Sequence, residues 1–251
     1  MTTQPLLGKV ALVAGGAKNL GGLISRSLAD AGAAVLVHYN SPASREAAEA
    51  TVSAIQQSGG KALALQADLT GVQEIRRLFD TAIHQFGRVD IAINTAGKVL
   101  KKPITDTTEA EFDELFALNA KAAYFFVQEA GRRLERDGKI ISIATSLLAA
   151  FTGHYSAYAA SKAPLEHLVR AAAKELASRN ISVNNVAPGP LDTPFFHGQE
   201  SPESVAYLSA ASMNGQLGDI RDIAPIVRFL ATEGWWINGQ TLFANGAFAT
   251  R

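Results

Sequence analysis

The sequence predicts an α/β fold built on a seven-stranded parallel sheet. Short apolar runs, typical of strands buried on both faces, alternate along the chain with longer segments of helical periodicity. The alternation repeats in βαβ order, which predicts a doubly wound, Rossmann-like sheet with helices on both faces. A chain of 251 residues, 47% of them hydrophobic, can form one large core, so we expect a single domain over residues 1–251.

Each predicted element follows from its local pattern. The apolar runs place strands at 9–14, 34–39, 62–66, 89–93, 139–144, 181–186 and 240–243. Amphipathic periodicity places helices between them at 20–31, 43–58, 71–86, 109–135, 156–179 and 220–232. Ligands in such folds bind beyond the carboxyl ends of the strands, so we expect functional residues there.

Composition excludes several classes of function. The formal net charge is zero and the basic residues are scattered, so we expect no nucleic-acid partner. Cysteine is absent and the five histidines lack the spacing of metal ligands, so any redox chemistry requires a bound organic cofactor rather than a metal. We find neither a signal-peptide pattern nor an apolar run long enough to span a membrane, and we expect a cytoplasmic protein.

A glycine-rich loop follows the first predicted strand. Residues 14–22 are mostly small and would let a pyrophosphate approach backbone amides at the positive end of the next helix. We assign this contact to Gly15, Lys18, Asn19, Leu20 and Gly21. Tyr39 ends the second predicted strand and Asn40 and Ser41 follow it, at the place where an acidic residue would favour NADH. Asn40 and Ser41 can instead donate to a 2′-phosphate and Lys18 could add charge, although Lys18 could equally be a solvated loop residue. The sequence therefore predicts a preference for NADPH.

Tyr158 and Lys162 lie one helical turn apart. Tyrosine ordinarily ionises near about pH 10, and an ammonium four residues along the same helix face favours the phenolate. We expect Lys162 to lower the pKa of Tyr158 and to make it an acid-base catalyst for a carbonyl group.

With these motifs the chain resembles the classical short-chain dehydrogenase/reductase family over essentially its whole length. Further matches follow the predicted strands or lie in the long central helix: Asp68, Leu69, Asn94, Ala96, Gly97, Asn119, Pro188, Gly189 and Thr193. The resemblance implies that Asp68 meets the adenine amine and that the segment from Asn94 to Gly97 lines the cofactor. It also implies that the segment from Pro188 to Thr193 holds the nicotinamide carboxamide, that Lys162 holds the nicotinamide ribose, and that Asn119 anchors a water for proton relay.

The glycine loop departs from the family pattern at two positions. Ala14 replaces a threonine and Asn19 replaces the middle glycine. Asparagine tolerates left-handed backbone angles better than most residues, so we expect the loop to keep its shape. The loop is similar to those of the NADPH-dependent pteridine and naphthol reductase branches.

The position of the family's catalytic serine is also changed. Thr145 lies thirteen residues before Tyr158, at the family spacing, and Ser146 follows it. An ungapped comparison selects Thr145, whose hydroxyl can donate to a substrate carbonyl. A one-residue deletion in the loop over 147–154 would select Ser146 instead, so both remain candidates.

The substrate segment is the least determined by sequence. Residues 195–217 lie where the family has its mobile substrate lid, and with Leu147, Leu148, Phe151, His154 and Tyr155 they predict an apolar, aromatic pocket. We therefore expect an uncharged or aromatic ketone or a quinone as substrate. Three alternative functions remain: a 3-oxoacyl reductase, a sugar-alcohol dehydrogenase and a non-catalytic NADP-sensing regulator. The alternative for the segment 195–217 is that it only packs on the sheet edge or on another subunit. The resemblance also implies a homotetramer. Trp235 and Trp236 could form a contact between its subunits, and we interpret both as packing residues.

Overall fold

The structure is a computed structural model that describes residues 4–250. Seven parallel strands form one sheet in the order β3-β2-β1-β4-β5-β6-β7. The strands are β1 Val10–Ala14, β2 Ala34–Tyr39, β3 Ala62–Gln66, β4 Ile91–Asn94, β5 Lys139–Ile143, β6 Ser182–Pro188 and β7 Thr241–Ala244. The predicted doubly wound, Rossmann-like sheet is confirmed.

Helices cover both faces of this sheet. They are α1 Asn19–Asp30, α2 Arg45–Gln57, α3 Val72–Phe86, α4 Glu109–Phe116, α5 Ala123–Arg133, α6 Ser156–Lys162, α7 Pro164–Glu175, α8 Pro194–His197, α9 Pro202–Ala211 and α10 Ile220–Ala231. No helix among residues 4–250 is long and apolar enough to cross a membrane.

Successive residues of β1 belong to two separate cores, because side chains alternate between the faces of a strand. Ala11 and Val13 join the core formed with α1, α2 and α10. Leu12 and Ala14 join the core formed with α3, α5 and α7, where the rings of Phe79 and Phe126 meet. The sheet is therefore buried on both faces, as its apolar strands predicted.

Two predicted helices are interrupted. The helix predicted over 109–135 contains a π-helical turn, Ala117–Ala122, between α4 and α5. The helix predicted over 156–179 divides at Pro164, which has no backbone N–H to donate to the preceding turn. Both interruptions lie near candidate site residues, since Asn119 is inside the π-helical turn and Lys162 ends α6.

The tryptophans after α10 differ from expectation. Trp235 and Trp236 are 55% and 83% exposed, and their rings contact each other edge to face. The turn that follows α10 directs them away from the cores, so they do not pack within the described chain, and a contact with another subunit stays a prediction.

Candidate active site

A cleft of about 500 Å³ opens along the carboxyl ends of the strands. The strand order reverses at β1, which has β2 on one side and β4 on the other. Doubly wound folds form a crevice at this reversal point, and the cleft lies there. Most of the predicted site residues line it: Gly15, Lys18, Asn19, Leu20, Gly21, Tyr39, Asn40, Leu69, Ala96, Gly97, Thr145, Ser146, Tyr158, Lys162, Pro188, Gly189 and Thr193. Ser41, Asp68, Asn94 and Asn119 lie beside it rather than on its wall.

The glycine loop is tightly folded. Gly15 has φ of +75°, and Asn19 has φ of +49°, the left-handed conformation that asparagine was expected to tolerate. A Cβ on Gly21 would lie 2.1 Å from the carbonyl oxygen of Gly15, so no other residue fits there without moving the loop. α1 begins within this segment, at Asn19, and the amides of its first turn have no acceptor within the helix.

His38, in β2, holds this loop through a hydrogen bond that the sequence analysis did not predict. The amide N–H of Gly15 donates to Nδ1 of His38 across 2.9 Å, and Nε2 lies 2.9 Å from the carbonyl oxygen of Ala67. The ring must therefore be neutral, with its proton on Nε2. Burial lowers the pKa of His38 to about 4, which preserves this state at neutral pH.

Polar groups surround the end of β2. Asn40 and Lys18 are exposed, whereas Tyr39 is buried. Ser41 and Ser44 precede the short helix 42–44 and α2, yet neither hydroxyl caps its helix. Both hydroxyls can therefore donate to a ligand at the place where an adenine ribose would lie. Ser44 also lines the cleft, and the sequence analysis did not identify it.

Asp68 and Asn94 stabilise turns at the strand ends. Oδ1 of Asp68 accepts from the amide and the hydroxyl of Thr70 at 3.0 and 2.8 Å, while the next residue, Leu69, faces the cleft. Oδ1 of Asn94 accepts from the amide of Ala96 at 3.1 Å and so shapes the turn after β4. In this structure both side chains therefore accept hydrogen bonds from residues of their own turns.

Tyr158, Lys162 and Gly97 meet in the middle of the cleft. Tyr158 and Lys162 are both buried on α6, and Nζ of Lys162 donates to the carbonyl oxygen of Ile143 at 2.9 Å. A Cβ on Gly97 would lie 3.1 Å from both Nζ of Lys162 and Oδ1 of Asn119, so a larger residue would press on these two side chains.

The pKa of Tyr158 contradicts the expectation from sequence. Burial raises the pKa of Tyr158 to about 12, and a hydrogen bond with Thr145 offsets only part of the rise. Burial also lowers the pKa of Lys162 to about 8. Desolvation disfavours both charges and sets the direction of both shifts, so Tyr158 is protonated at neutral pH.

The two candidate hydroxyls face different partners. Thr145 hydrogen-bonds the Tyr158 hydroxyl, and its Oγ1 also accepts from the amide of Leu147 at 3.3 Å. Ser146 donates to the carbonyl oxygen of Ala187 at 2.9 Å, which directs it to β6. The geometry thus pairs Thr145 with Tyr158 and gives Ser146 a backbone partner.

The side chain of Asn119 joins three segments. Its Oδ1 accepts from the amide of Lys98 at 2.9 Å, and its Nδ2 donates to the carbonyl oxygen of Lys98 at 2.8 Å and to the hydroxyl of Ser161 at 2.9 Å. Ser161 in turn donates to the carbonyl oxygen of Tyr158 at 2.7 Å. Both amide hydrogens are used, so a water could bind only the remaining lone pair of Oδ1 or a backbone carbonyl of the π-helical turn.

Pro188, Gly189 and Thr193 form the wall beyond β6. The amide of Gly189 donates to the carbonyl oxygen of Ala244 at 3.2 Å, and a Cβ there would lie 2.9 Å from Cβ of Asn245. Thr193 is the N-cap of α8, and its Oγ1 accepts from the amide of Phe196 at 3.3 Å. This wall therefore leads directly into the lid segment.

The substrate half of the cleft is largely apolar. Its walls include Val99, Leu147, Phe195, Phe196, Tyr207, Leu208 and Phe248. Of the loop residues predicted beside the lid, Leu147 and Tyr155 line the cleft, whereas Phe151 is fully exposed. Sequence reasoning missed the polar residues of this half, Lys101, Gln199, Glu200 and Ser204.

Comparison with known proteins agrees with this geometry. Residues 15–248 match the profile of a protein family described as enoyl-(acyl carrier protein) reductase. A short-chain type dehydrogenase/reductase of Picea abies is 38% identical over 250 residues, which cover 95% of this chain and 92% of that protein. The chain is a short-chain dehydrogenase/reductase.

Two further proteins support the same family assignment. Elsinochrome reductase 1 of Elsinoe fawcettii is 37% identical, with 98% of this chain and 97% of that protein covered. A crystal structure of a Burkholderia cenocepacia protein with bound NADP has a TM-score of 0.96 at 53% identity and covers 100% of this chain and 97% of that one. Membership of the family makes the protein an NAD(P)H-dependent oxidoreductase that acts on carbonyl or alcohol groups.

Proposed function

We propose that this short-chain dehydrogenase/reductase uses NADPH to reduce an uncharged or aromatic ketone or a quinone. One observation carries the proposal: the hydroxyls of Tyr158 and Thr145 meet at the base of a cleft whose outer walls are apolar and aromatic. Two hydroxyl donors that converge on one point suit a carbonyl oxygen, and the aromatic walls suit a flat, uncharged ring.

The residues of the other half fit a dinucleotide. The first-turn amides of α1, those of Asn19, Leu20 and Gly21, would hold the pyrophosphate. Gly15 would only border it, because the Gly15 amide donates to His38. Lys18, Asn40, Ser41 and Ser44 would hold a 2′-phosphate through donated hydrogen bonds, which supports NADPH over NADH. Tyr39, Asp68 and Leu69 would flank the adenine. Asn94, Ala96, Gly97, Pro188, Gly189 and Thr193 would border the nicotinamide end.

The nicotinamide, when bound, supplies the hydride. Tyr158 donates the proton to the developing alkoxide, and its pKa of about 12 keeps that proton available at neutral pH. Thr145 donates the second hydrogen bond to the same oxygen. In this direction a raised tyrosine pKa is compatible with catalysis, because the reaction begins from the protonated phenol.

Lys162 and Asn119 support this pair. Lys162, with its pKa lowered to about 8, would hold the nicotinamide ribose and return a proton to Tyr158 after each turnover. Asn119 links the turn after β4 to α6 through Lys98 and Ser161, and would anchor the water that supplies Lys162. Ser146 takes a structural role through its bond to Ala187.

The test follows NADPH and NADH consumption by the wild type and by Tyr158→Phe with aryl ketones, diketones, quinones, pterins, sugars and β-ketoacyl thioesters. We expect turnover of ketones or quinones, faster with NADPH. Loss of the proton donor should lower that turnover by at least about 10²-fold while NADPH still binds.

Two results would contradict the proposal. Turnover by Tyr158→Phe at the wild-type rate would exclude Tyr158 as the proton donor. Turnover restricted to thioesters or sugars would replace the proposed substrate class with a 3-oxoacyl reductase or a sugar-alcohol dehydrogenase.

A further inference from the structure

A buried carboxylate joins three segments in the substrate half of the cleft. Glu200 lies in the turn between α8 and α9, and its side chain is 1% exposed. Lys101, from the segment after β4, forms an ion pair with its Oε2, and Tyr155 donates its hydroxyl to Oε1. Ser204 of α9 also donates to Oε2. We call Lys101, Tyr155, Glu200 and Ser204 the Glu200 cluster.

The donors of the cluster stabilise the charged form of Glu200. Burial alone would raise the pKa of Glu200, but the donors Lys101, Ser204 and Tyr155 outweigh it and hold the pKa below its usual value. Burial and the adjacent carboxylate raise the pKa of Tyr155, so its hydroxyl remains a donor. A buried carboxylate is stable only with such partners, so each contact depends on the lid staying in place.

The cluster also touches the catalytic wall. The ring of Tyr155 meets the ring of Tyr158 edge to face, with centroids 6.1 Å apart, and Nζ of Lys101 lies 5.7 Å from the centroid of the Tyr155 ring. Tyr155 is the N-cap of α6, the helix that carries Tyr158. Phe195 and Phe196 of α8 come shortly before Glu200 in the chain and line the same cleft. Glu200 therefore connects the lid to this aromatic wall.

We propose that Glu200 is a positioning residue that fixes the lid over residues 195–217 onto Tyr155 and thereby sets substrate affinity and the size of substrate that reaches Tyr158. The proposal rests on the proposed ketone or quinone reduction for its kinetic part. Its structural part, the attachment of the lid to the segment after β4 and to the start of α6, is independent of the substrate.

Four variants isolate the cluster. Glu200→Gln removes the charge at nearly constant size, and Tyr155→Phe removes a single donor while it keeps the ring against Tyr158. Lys101→Gln combined with Glu200→Gln replaces the ion pair by two amides that can bond each other. Glu114→Gln is the matched control, because it breaks the exposed pair of Glu114 with Lys98 on the same segment after β4 but outside the cluster.

The first measurement is cleavage by chymotrypsin, for which the lid offers the exposed Phe195 and Tyr207. We expect Glu200→Gln to be cut in the lid about tenfold faster than the wild type, as local opening becomes easier. Tyr155→Phe should be intermediate and Glu114→Gln unchanged. NADPH affinity, measured by fluorescence, should change less than about twofold in all of them, since the hydrogen bonds of the cluster do not involve the glycine loop.

The second measurement is steady-state kinetics. We expect Glu200→Gln to raise KM for a compact ketone about tenfold with kcat nearly unchanged, the pattern of lost substrate binding, and to reduce the preference for compact over bulky ketones. The double amide variant should lose no more than Glu200→Gln alone, because the two residues act as one unit.

Three outcomes would overturn the proposal. One is a lid cut at the wild-type rate in Glu200→Gln, and another is a KM change that Glu114→Gln reproduces. A third is a parallel loss of NADPH affinity, because that would show a general disturbance of the fold. If the wild type reduces no ketone or quinone, the proposed function fails while the chymotrypsin experiment still tests the cluster.

Discussion

The two halves of the cleft keep their shape by different means. In the cofactor half, the turn geometry is local: Gly15 and Asn19 take positive φ angles, and Gly21 packs directly on the carbonyl of Gly15. In the substrate half, the shape depends on side chains far apart in sequence. Lys101 and Tyr155 reach Glu200 across 99 and 45 residues.

This difference bears on how each half can change. A backbone turn tolerates few substitutions, because any added side chain meets main-chain atoms that cannot move aside. A side-chain cluster can be replaced by another cluster without altering the sheet. Family members can therefore share a cofactor half while their substrate halves differ, and each half should respond differently to mutation.

The largest effect is expected where the halves meet, at Thr145. Thr145→Val removes the hydroxyl that hydrogen-bonds Tyr158 and keeps the branched shape, so we expect kcat to fall by about 10²- to 10³-fold, the usual loss for one donor to a developing oxyanion. Ser146→Ala is the control. It removes the bond to Ala187 and should lower the melting temperature with kcat nearly unchanged. Steady-state kinetics that show the larger kcat loss in Ser146→Ala would assign the catalytic hydroxyl to Ser146.

A smaller effect is expected in the cofactor half, from one methyl group. In Gly21→Ala the new Cβ would lie 2.1 Å from the Gly15 carbonyl oxygen and must displace the loop. We expect NADPH affinity to fall up to about 10²-fold, since a lost hydrogen bond to a charged phosphate costs about 1.5–3 kcal/mol. In Gly22→Ala the nearest atom would be 3.2 Å away, so its loss should be far smaller. Equal affinities of the two variants, measured by fluorescence titration, would show that the loop is not the rigid element described above.

The sequence predicted the cofactor half better than the substrate half for the same physical reason. A strand followed by small residues and a helix is a local pattern, so the positions of Gly15, Asn19 and Gly21 could be predicted. The pairing of Lys101 with Glu200 depends on how the lid packs, and no local pattern encodes it. The pKa of Tyr158 was predicted in the wrong direction because spacing indicates the nearby lysine but gives no measure of burial.

His38 is the exception to this local geometry in the cofactor half. It lies in β2, contacts the loop that follows β1, and no local sequence pattern predicted the contact. Its pKa is about 4 when folded and about 6.5 when unfolded. The unfolded chain thus takes up the proton first, and the stabilisation present above about pH 6.5 is lost as the pH falls towards about 4. From about pH 7.5 to about pH 5.5 we expect His38 to remove about 1.4 kcal/mol of the free energy of unfolding.

Urea denaturation at the two pH values measures this loss. His38→Gln keeps an oxygen for the Gly15 amide and an N–H for the Ala67 carbonyl but does not titrate, so its free energy of unfolding should change less with pH than that of the wild type. The exposed His84 provides the control, and His84→Gln should keep the wild-type pH dependence. If His38→Gln loses as much stability as the wild type, the glycine loop does not depend on a neutral imidazole, and the cofactor half is held by its own turns alone.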